Sequence, residues 1–176
     1  MKITRAHVYV SRRAKPDMTP CEAEIREISY ALKADNAEAR ATAAVAMAGR
    51  LRRHRACLLV PVPDSQGCTI TSLRLCRAIQ VLHPWASILD VLCGAPHESQ
   101  CRLDHEGRHR LTADQIEVTA RPADVPRGYE NTVVYLVDNV CCTGAPLEAC
   151  RRAVAAVLRN DIRGLVYART KQKARN

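Results

Sequence analysis

Residues Val133-Val134-Tyr135-Leu136-Val137 form a near-continuous β-branched and apolar run that passes directly into Asp138-Asn139-Val140-Cys141-Cys142-Thr143-Gly144-Ala145-Pro146. A run without alternating polar positions suits a strand buried on both faces of a parallel sheet. Pro146 suits the first position of a helix, because the N–H it lacks is one that a helix start leaves unpaired anyway. The chain must therefore fold with a strand feeding a short turn and then a helix. Between them, the N–H groups near Thr143, Gly144 and Ala145 have no strand or helix partner. They can point at an anion, and the helix dipole adds partial positive charge there. Thr143 adds a hydroxyl donor. Asp138 is expected at the carboxyl end of the strand, where open α/β sheets place ligands and where a carboxylate can accept from two ribose hydroxyls. The segment reads as a grip for a phosphorylated sugar.

The rest of the chain alternates in the same way. Ile3 to Val10 predicts a short strand. Thr19 and Pro20 signal a helix start, followed by Cys21, Ile25, Ile28 and Leu32 at helical spacing. Asp35, three residues before Glu38, predicts a capping box for a second helix running through the Ala-rich stretch to about Arg53. Cys57 to Val62 is the first core strand, then comes a Ser-Gln-Gly loop, and a helix is expected from Thr71 to Leu82, stopped by Pro84. Ser87 to Leu92 and Ile116 to Thr119 read as strands. Leu147, Cys150, Val154, Val157 and Leu158 mark one face of the helix after the sugar-phosphate strand, and Gly164 to Ala168 closes the sheet. The expected fold is an α/β doubly wound, mostly parallel sheet with helices on both faces.

With 176 residues the chain suits one domain, 1–176, in which 1–55 forms a mainly helical preface and 94–112 a polar segment. Aromatic content is 3 % with no Phe, so the core must be built from aliphatic, Cys and Met side chains. The 9 cysteines are odd in number and include no Cys-x-x-Cys, and the first fifteen residues carry charge where a signal peptide is apolar. A cytoplasmic location and no membrane partner are therefore expected. A formal charge of +9 implies anionic partners, with nucleotides, phosphates and nucleic acid all admissible. The two basic clusters are Arg50 to Arg55 and the tail bearing Arg169, Lys171, Lys173 and Arg175.

The segment from Val134 to Pro146 resembles the phosphoribosyl pyrophosphate (PRPP) signature of the type I phosphoribosyltransferases. Val60-Pro61-Val62-Pro63 before a loop and helix, Ser99-Gln100 followed by Leu103, Arg108 and Arg110, and the closing Tyr167-Ala168-Arg169-Thr170 occur in the order seen in the ComF-like branch of that family. Asn139 stands where the signature has a second acid, and Pro146 where it ends on a hydroxyl residue. Leu111 stands where an Asn would follow the basic pair, and the branch's N-terminal zinc cysteines are absent. The chain is similar to the family as a divergent relative.

The resemblance implies a transferase that binds PRPP with Mg²⁺ and joins ribose 5-phosphate to a nitrogen acceptor, releasing pyrophosphate. Asp138 and Asn139 would face the ribose, and the loop from Cys141 and Cys142 through Thr143, Gly144 and Ala145 would hold the 5′-phosphate. Asp64, Ser65, Gln66 and Gly67 would form the pyrophosphate loop, and Arg108 and Arg110, with Arg102, would lie in a hood over the site. Magnesium would be held mainly by substrate oxygens and water, without a dedicated protein metal site. A homodimer is the assembly expected. Asn139 and Pro146 favour the alternative of a binding module that keeps the fold, has lost the reaction, and recognises a nucleotide, PRPP or nucleic acid in a regulatory or DNA-uptake role.

Two rival chemistries use nearby residues. His97, Cys101, His105 and His109 recur every fourth position and would share one stripe of a helix that could bind zinc. Cys141 or Cys142 at a helix N-terminus could act as a thiolate nucleophile. Small loop-filling thiols are the plainer expectation for that pair.

Overall fold

The run Val133–Val137 lies in the middle of the sheet. In the computed structural model, which describes residues 1–10, 17–97, 112–121, 129 and 131–170, it opens β6 (Val133–Cys141). The other elements, in chain order, are β1 (Ile3–Tyr9), α1 (Pro20–Lys33), α2 (Ala37–Ala48), β2 (Cys57–Pro61), α3 (Ile70–Leu82), β3 (Ala86–Ile88), β4 (Leu92–Gly94), a 3-10 turn (Ala113–Gln115), β5 (Val118–Ala120), α4 (Ala145–Ala155) and β7 (Ile162–Thr170). The main sheet has five strands in the order β1-β7-β6-β2-β3, every pair parallel.

Both faces of the sheet are covered, and side chains alternate between two cores. Leu59, Tyr135, Val137, Leu165 and Tyr167 pack with Leu32 of α1, Met47 of α2, and Leu75 and Ile79 of α3. Leu58, Val60, Val134, Leu136 and Val166 pack on the other side with Leu147, Cys150 and Val154 of α4. The period-two geometry of a strand sends neighbouring apolar residues to opposite faces, so a strand covered twice is apolar throughout. The fold is α/β with a mostly parallel sheet and helices on both faces.

α1 starts as its sequence predicts. Thr19 caps it, with the Glu22 N–H donating to Thr19 Oγ1 at 3.3 Å and the Thr19 N–H donating back to the Glu22 carboxylate at 2.8 Å. Ile25 and Leu32 are buried as expected, while Cys21 is exposed. The intervening buried position is Ser29, whose hydroxyl donates to Ile25 O at 2.7 Å and so tolerates the core.

Other boundaries need correction. The cap of α2 is Asn36, whose side chain accepts from Ala39 N at 3.0 Å. Asp35 has φ +57°, incompatible with the extended backbone of a cap, and its carboxylate instead pairs with Arg40 at 2.6 Å and with Arg74 of α3. α2 ends at Ala48, and Arg50 to Arg55 form turns.

The stretch Ser87–Leu92 is two strands. β3 stays in the main sheet; after Leu89, whose N–H donates to Leu59 O at 2.9 Å, the chain leaves it, and β4 pairs antiparallel with β5 in a separate two-stranded ribbon. The run Ser87-Ile88-Leu89-Asp90-Val91-Leu92, mostly apolar, does not reveal that change of partner. β6 and β7 both extend past the predicted ends, because each satisfies the other's backbone through Cys141↔Arg169.

Leu136 is fully buried against α4. Leu136→Ala should lower unfolding stability by about 2–5 kcal/mol through the cavity it leaves, measured as a shift of the denaturant midpoint at unchanged slope.

Candidate functional site

β2 and β6 are adjacent, yet the chain leaves their carboxyl ends in opposite directions. β2 leads into α3 on one face, and β6 leads into α4 on the other. Neighbouring strands with diverging exits leave a crevice at the sheet edge, the position where open parallel sheets bind ligands. β2 stops at Pro61, paired with Val137, and its last contact across the gap is Val62 N–H to Val137 O at 3.1 Å. From Asp138 onward β6 pairs with β7 alone. Backbone groups alternate sides along a strand, so those of Asn139 turn toward the side β2 has vacated.

Asp138 is half-buried, not at the strand's end as expected but three residues inside it. Its carboxylate accepts from the Asn139 N–H at 2.7 Å. It follows Leu136 in alternation, and its charge is felt by the thiols of Cys141 and of Cys150 in α4, so it stands on the α4 side. Removal from water pushes its pKa up to about 6; the Asn139 N–H and the more distant Lys33 charge pull the other way and are outweighed. Among the described residues, the side-chain oxygen of Asn139 is buried without a hydrogen-bond partner. A carboxyl with a raised pKa and a neighbouring buried acceptor are the kind of groups that recur at functional sites, which makes Asp138 and Asn139 candidates.

The turn after β6 begins at Cys142, whose carbonyl accepts from Thr170 Oγ1 at 2.9 Å. Gly144 has φ +90°, a conformation that glycine adopts freely, and it precedes the first helical residue. The Ala145 N–H donates to Thr143 Oγ1 at 3.2 Å, so that amide is already engaged by the turn itself. Beside the turn lies a cleft of about 370 Å³ lined by Thr143, Gly144, Ala145 and Glu148 together with Met1, Ile3 and Ala113. Glu148 in that lining is held by Arg151 at 2.6 Å, which keeps its carboxyl below its ordinary range. Neither Asp138 nor the loop after β2 lines this cleft. The Cys141 sulfur lies 3.9 Å from where a Cβ on Gly144 would stand, against the turn.

The loop Asp64–Gly67 is organised by Asp64. Its Oδ1 accepts from Gln66 N–H at 2.8 Å and Cys68 N–H at 3.0 Å, and its carbonyl accepts from Gly67 N–H at 3.0 Å. The amides of Gln66 and Gly67, expected to face an anion, are thus spent inside the loop. Gly67 has φ +79°, and a Cβ there would lie 2.1 Å from Gly94 O. With His97 N–H donating to Ser65 O at 2.8 Å, this close approach fastens the loop to β4. Gly94 was not among the residues singled out from sequence; only its tertiary partner explains it.

Burial pushes the Cys141 thiol up to about 12, and the Cys150 and Cys76 thiols are raised further, so Cys141 fills space and supplies no nucleophile at neutral pH. Arg102, Arg108 and Arg110 lie outside the described residues, as do Cys101, His105 and His109 of the metal stripe. Among the described residues no three His, Cys, Asp or Glu side chains gather as a metal site, and no helix is long and apolar enough to cross a membrane. Arg52, Arg53, His54 and Arg55 are exposed ahead of β2, at the edge of the sheet opposite the crevice, with the His54 ring edge-on to Trp85.

Two outcomes follow from this geometry. The native pKa of Asp138 exceeds its unfolded value of 3.8, so the folded protein binds the extra proton between about pH 4 and 6. Stability is therefore lost as pH rises through that window. Asp138→Asn should be more stable than the parent at pH 7 and equal to it near pH 4, read by chemical denaturation at both pH values; an equal difference at both would refute the burial of this charge. Gly67→Ala should destabilise by more than about 1 kcal/mol, the cost of a left-handed non-glycine residue alone, because the Cβ must also displace β4. Thermal unfolding measures it.

No protein-family model matches the sequence, and no curated protein matches it at a significant level. Among solved structures, the chain is similar to the hypoxanthine phosphoribosyl transferase of Trypanosoma cruzi, at 15% identity over 85% of this chain and 76% of that chain, with a TM-score of 0.41. At that degree of superposition the likeness says nothing about chemistry.

Proposed function

We propose that this chain is a phosphoribosyltransferase-like protein that binds PRPP with Mg²⁺ and transfers ribose 5-phosphate to a nitrogen acceptor, its sequence placing it nearest the ComF-like branch. The observation that carries this reading is the crevice between β2 and β6, with the Asp64–Gly67 loop on one side and Asp138 and Asn139 on the other. Asp138 accepts from the ribose hydroxyls, and the Thr143 to Ala145 turn with its adjoining cleft takes the 5′-phosphate. Ser65 and Gln66 offer side-chain donors to the pyrophosphate, since two of the loop amides are occupied by Asp64.

In the reaction the bond from the anomeric carbon to pyrophosphate breaks, pyrophosphate leaves with the electron pair, and the acceptor nitrogen bonds to that carbon and gives up a proton. The protein's part is to position the two partners and to stabilise charge at fixed donors. The Asp138 carboxylate is a hard oxygen donor of the type Mg²⁺ takes and would contact it, with substrate oxygens and water filling most of the positions. When bound with the substrate, Mg²⁺ would neutralise pyrophosphate charge.

One specific feature favours a second reading, in which the chain binds the ligand without turning it over. The loop after β2 consumes its own amides, and Pro146 withholds an N–H from the helix start. Calorimetric titration with PRPP, with and without Mg²⁺, followed by a pyrophosphate-release assay across free bases and amines, separates the two. The transferase reading expects Mg²⁺-dependent binding, release with at least one acceptor, and a roughly tenfold or greater loss of PRPP affinity in Asp138→Ala, the scale of one hydrogen bond to a charged group. Binding without release selects the second reading, and the absence of PRPP binding rejects both.

A further inference from the structure

We infer that Arg169 is a direct ligand of the 5′-phosphate, supplying from β7 the positive charge that the turn after β6 lacks. This rests on the ribose-phosphate reading of that turn and adds a residue to it. In the parallel ladder Arg169 is in register with Cys141 of β6 and with Val8 of β1. In-register neighbours of a parallel pair project to the same side of the sheet, so the Arg169 side chain leaves β7 beside Cys141. The Cys141 sulfur in turn lies 3.9 Å from where a Gly144 Cβ would stand, against the turn itself. The next residue, Thr170, ties the two segments together by donating to Cys142 O at 2.9 Å. The Arg169 charge also lowers the Cys141 thiol pKa against the larger effect of burial, as a nearby guanidinium does.

Arg169 is half-buried, and among the described residues its guanidinium makes no hydrogen bond or ion pair. Of the other half-buried arginines, Arg40, Arg151 and Arg163 each meet a carboxylate within five residues, and Arg26 lies over the Tyr30 ring. A partly desolvated guanidinium without such a partner is costly unless an anion completes it. The turn it adjoins is short of donors: Pro146 has no N–H, and the Ala145 N–H is spent on Thr143 Oγ1. A phosphate settling at this turn meets fewer amides than an ordinary helix start offers, and Arg169 is placed to make up the deficit with a two-pronged contact.

The test compares Arg169→Lys with Arg169→Met by calorimetric titration with ribose 5-phosphate, each variant first shown by thermal melting to be folded. Both substitutions keep an apolar stem of similar length, so a packing role affects them alike, and only the charge differs. Arg169→Met should bind roughly tenfold to a hundredfold more weakly than the parent, the range for losing a charge-assisted hydrogen bond, and Arg169→Lys should recover part of the loss. A Met variant binding as tightly as the parent, or Lys and Met variants weakened equally, overturns the assignment while the ribose-phosphate reading stands. A parent that binds neither ribose 5-phosphate nor PRPP overturns both.

Discussion

β6 is the constraint from which the rest of this molecule follows. It pairs with β7 on one side and β2 on the other, and its side chains divide between a core built on α1, α2 and α3 and a second core built on α4. A strand in that position has no edge and no solvent face, so its sequence is apolar from Val133 to Val137 and admits a carboxyl only where the pairing with β2 ends. The change from apolar to polar at Asp138 is the chemical record of β2 stopping at Pro61.

The same end of the sheet collects the unusual electrostatics. Asp138 is withdrawn from water far enough that its pKa rises to about 6, while Asn139 keeps an acceptor oxygen buried and unmatched. Both features cost stability, because a buried charge and a buried acceptor without a partner lose the hydrogen bonds that water would give them. The loop after β2 contrasts with this. Asp64 closes it internally, and Gly67 presses it on to Gly94 so closely that no side chain fits between them. The loop after β2 is thus internally satisfied, whereas β6 carries a desolvated acid and a buried acceptor without a partner among the described residues.

Local signals were legible where the physics is local. The Thr19 and Glu22 cap, the stop at Pro84, the core strand at Cys57 and the helix that opens at Ala145-Pro146 are all set within a few residues, Pro146 falling at the second helical position rather than the first. Asp35 misled because a carboxylate three residues before Glu38 at the start of an Ala-rich helix resembles a cap from sequence, whereas here it is a left-handed turn residue neutralised by Arg40 and by Arg74 from a different helix. Ser87 to Leu92 misled because apolar residues suit a main-sheet strand and an antiparallel ribbon equally well. Gly94 and Arg169 acquire meaning only through neighbours 27 and 28 residues away, Gly67 and Cys141.

The sequence by itself determined that a doubly covered strand runs into a polar turn and a proline-started helix, since strand burial, glycine conformation and helix initiation are properties of short segments. It therefore determined the α/β class and pointed to the phosphate-like turn. The tertiary structure alone decided that β2 stops short of β6 and that their helices leave on opposite faces, which opens the crevice. It also decided that Asp138 is desolvated, and that Arg169 stands beside Cys141 with no ion pair among the described residues. Those outcomes depend on register and on which strands become neighbours, and both are settled by burying two cores at once, a condition that no single segment of the chain can express.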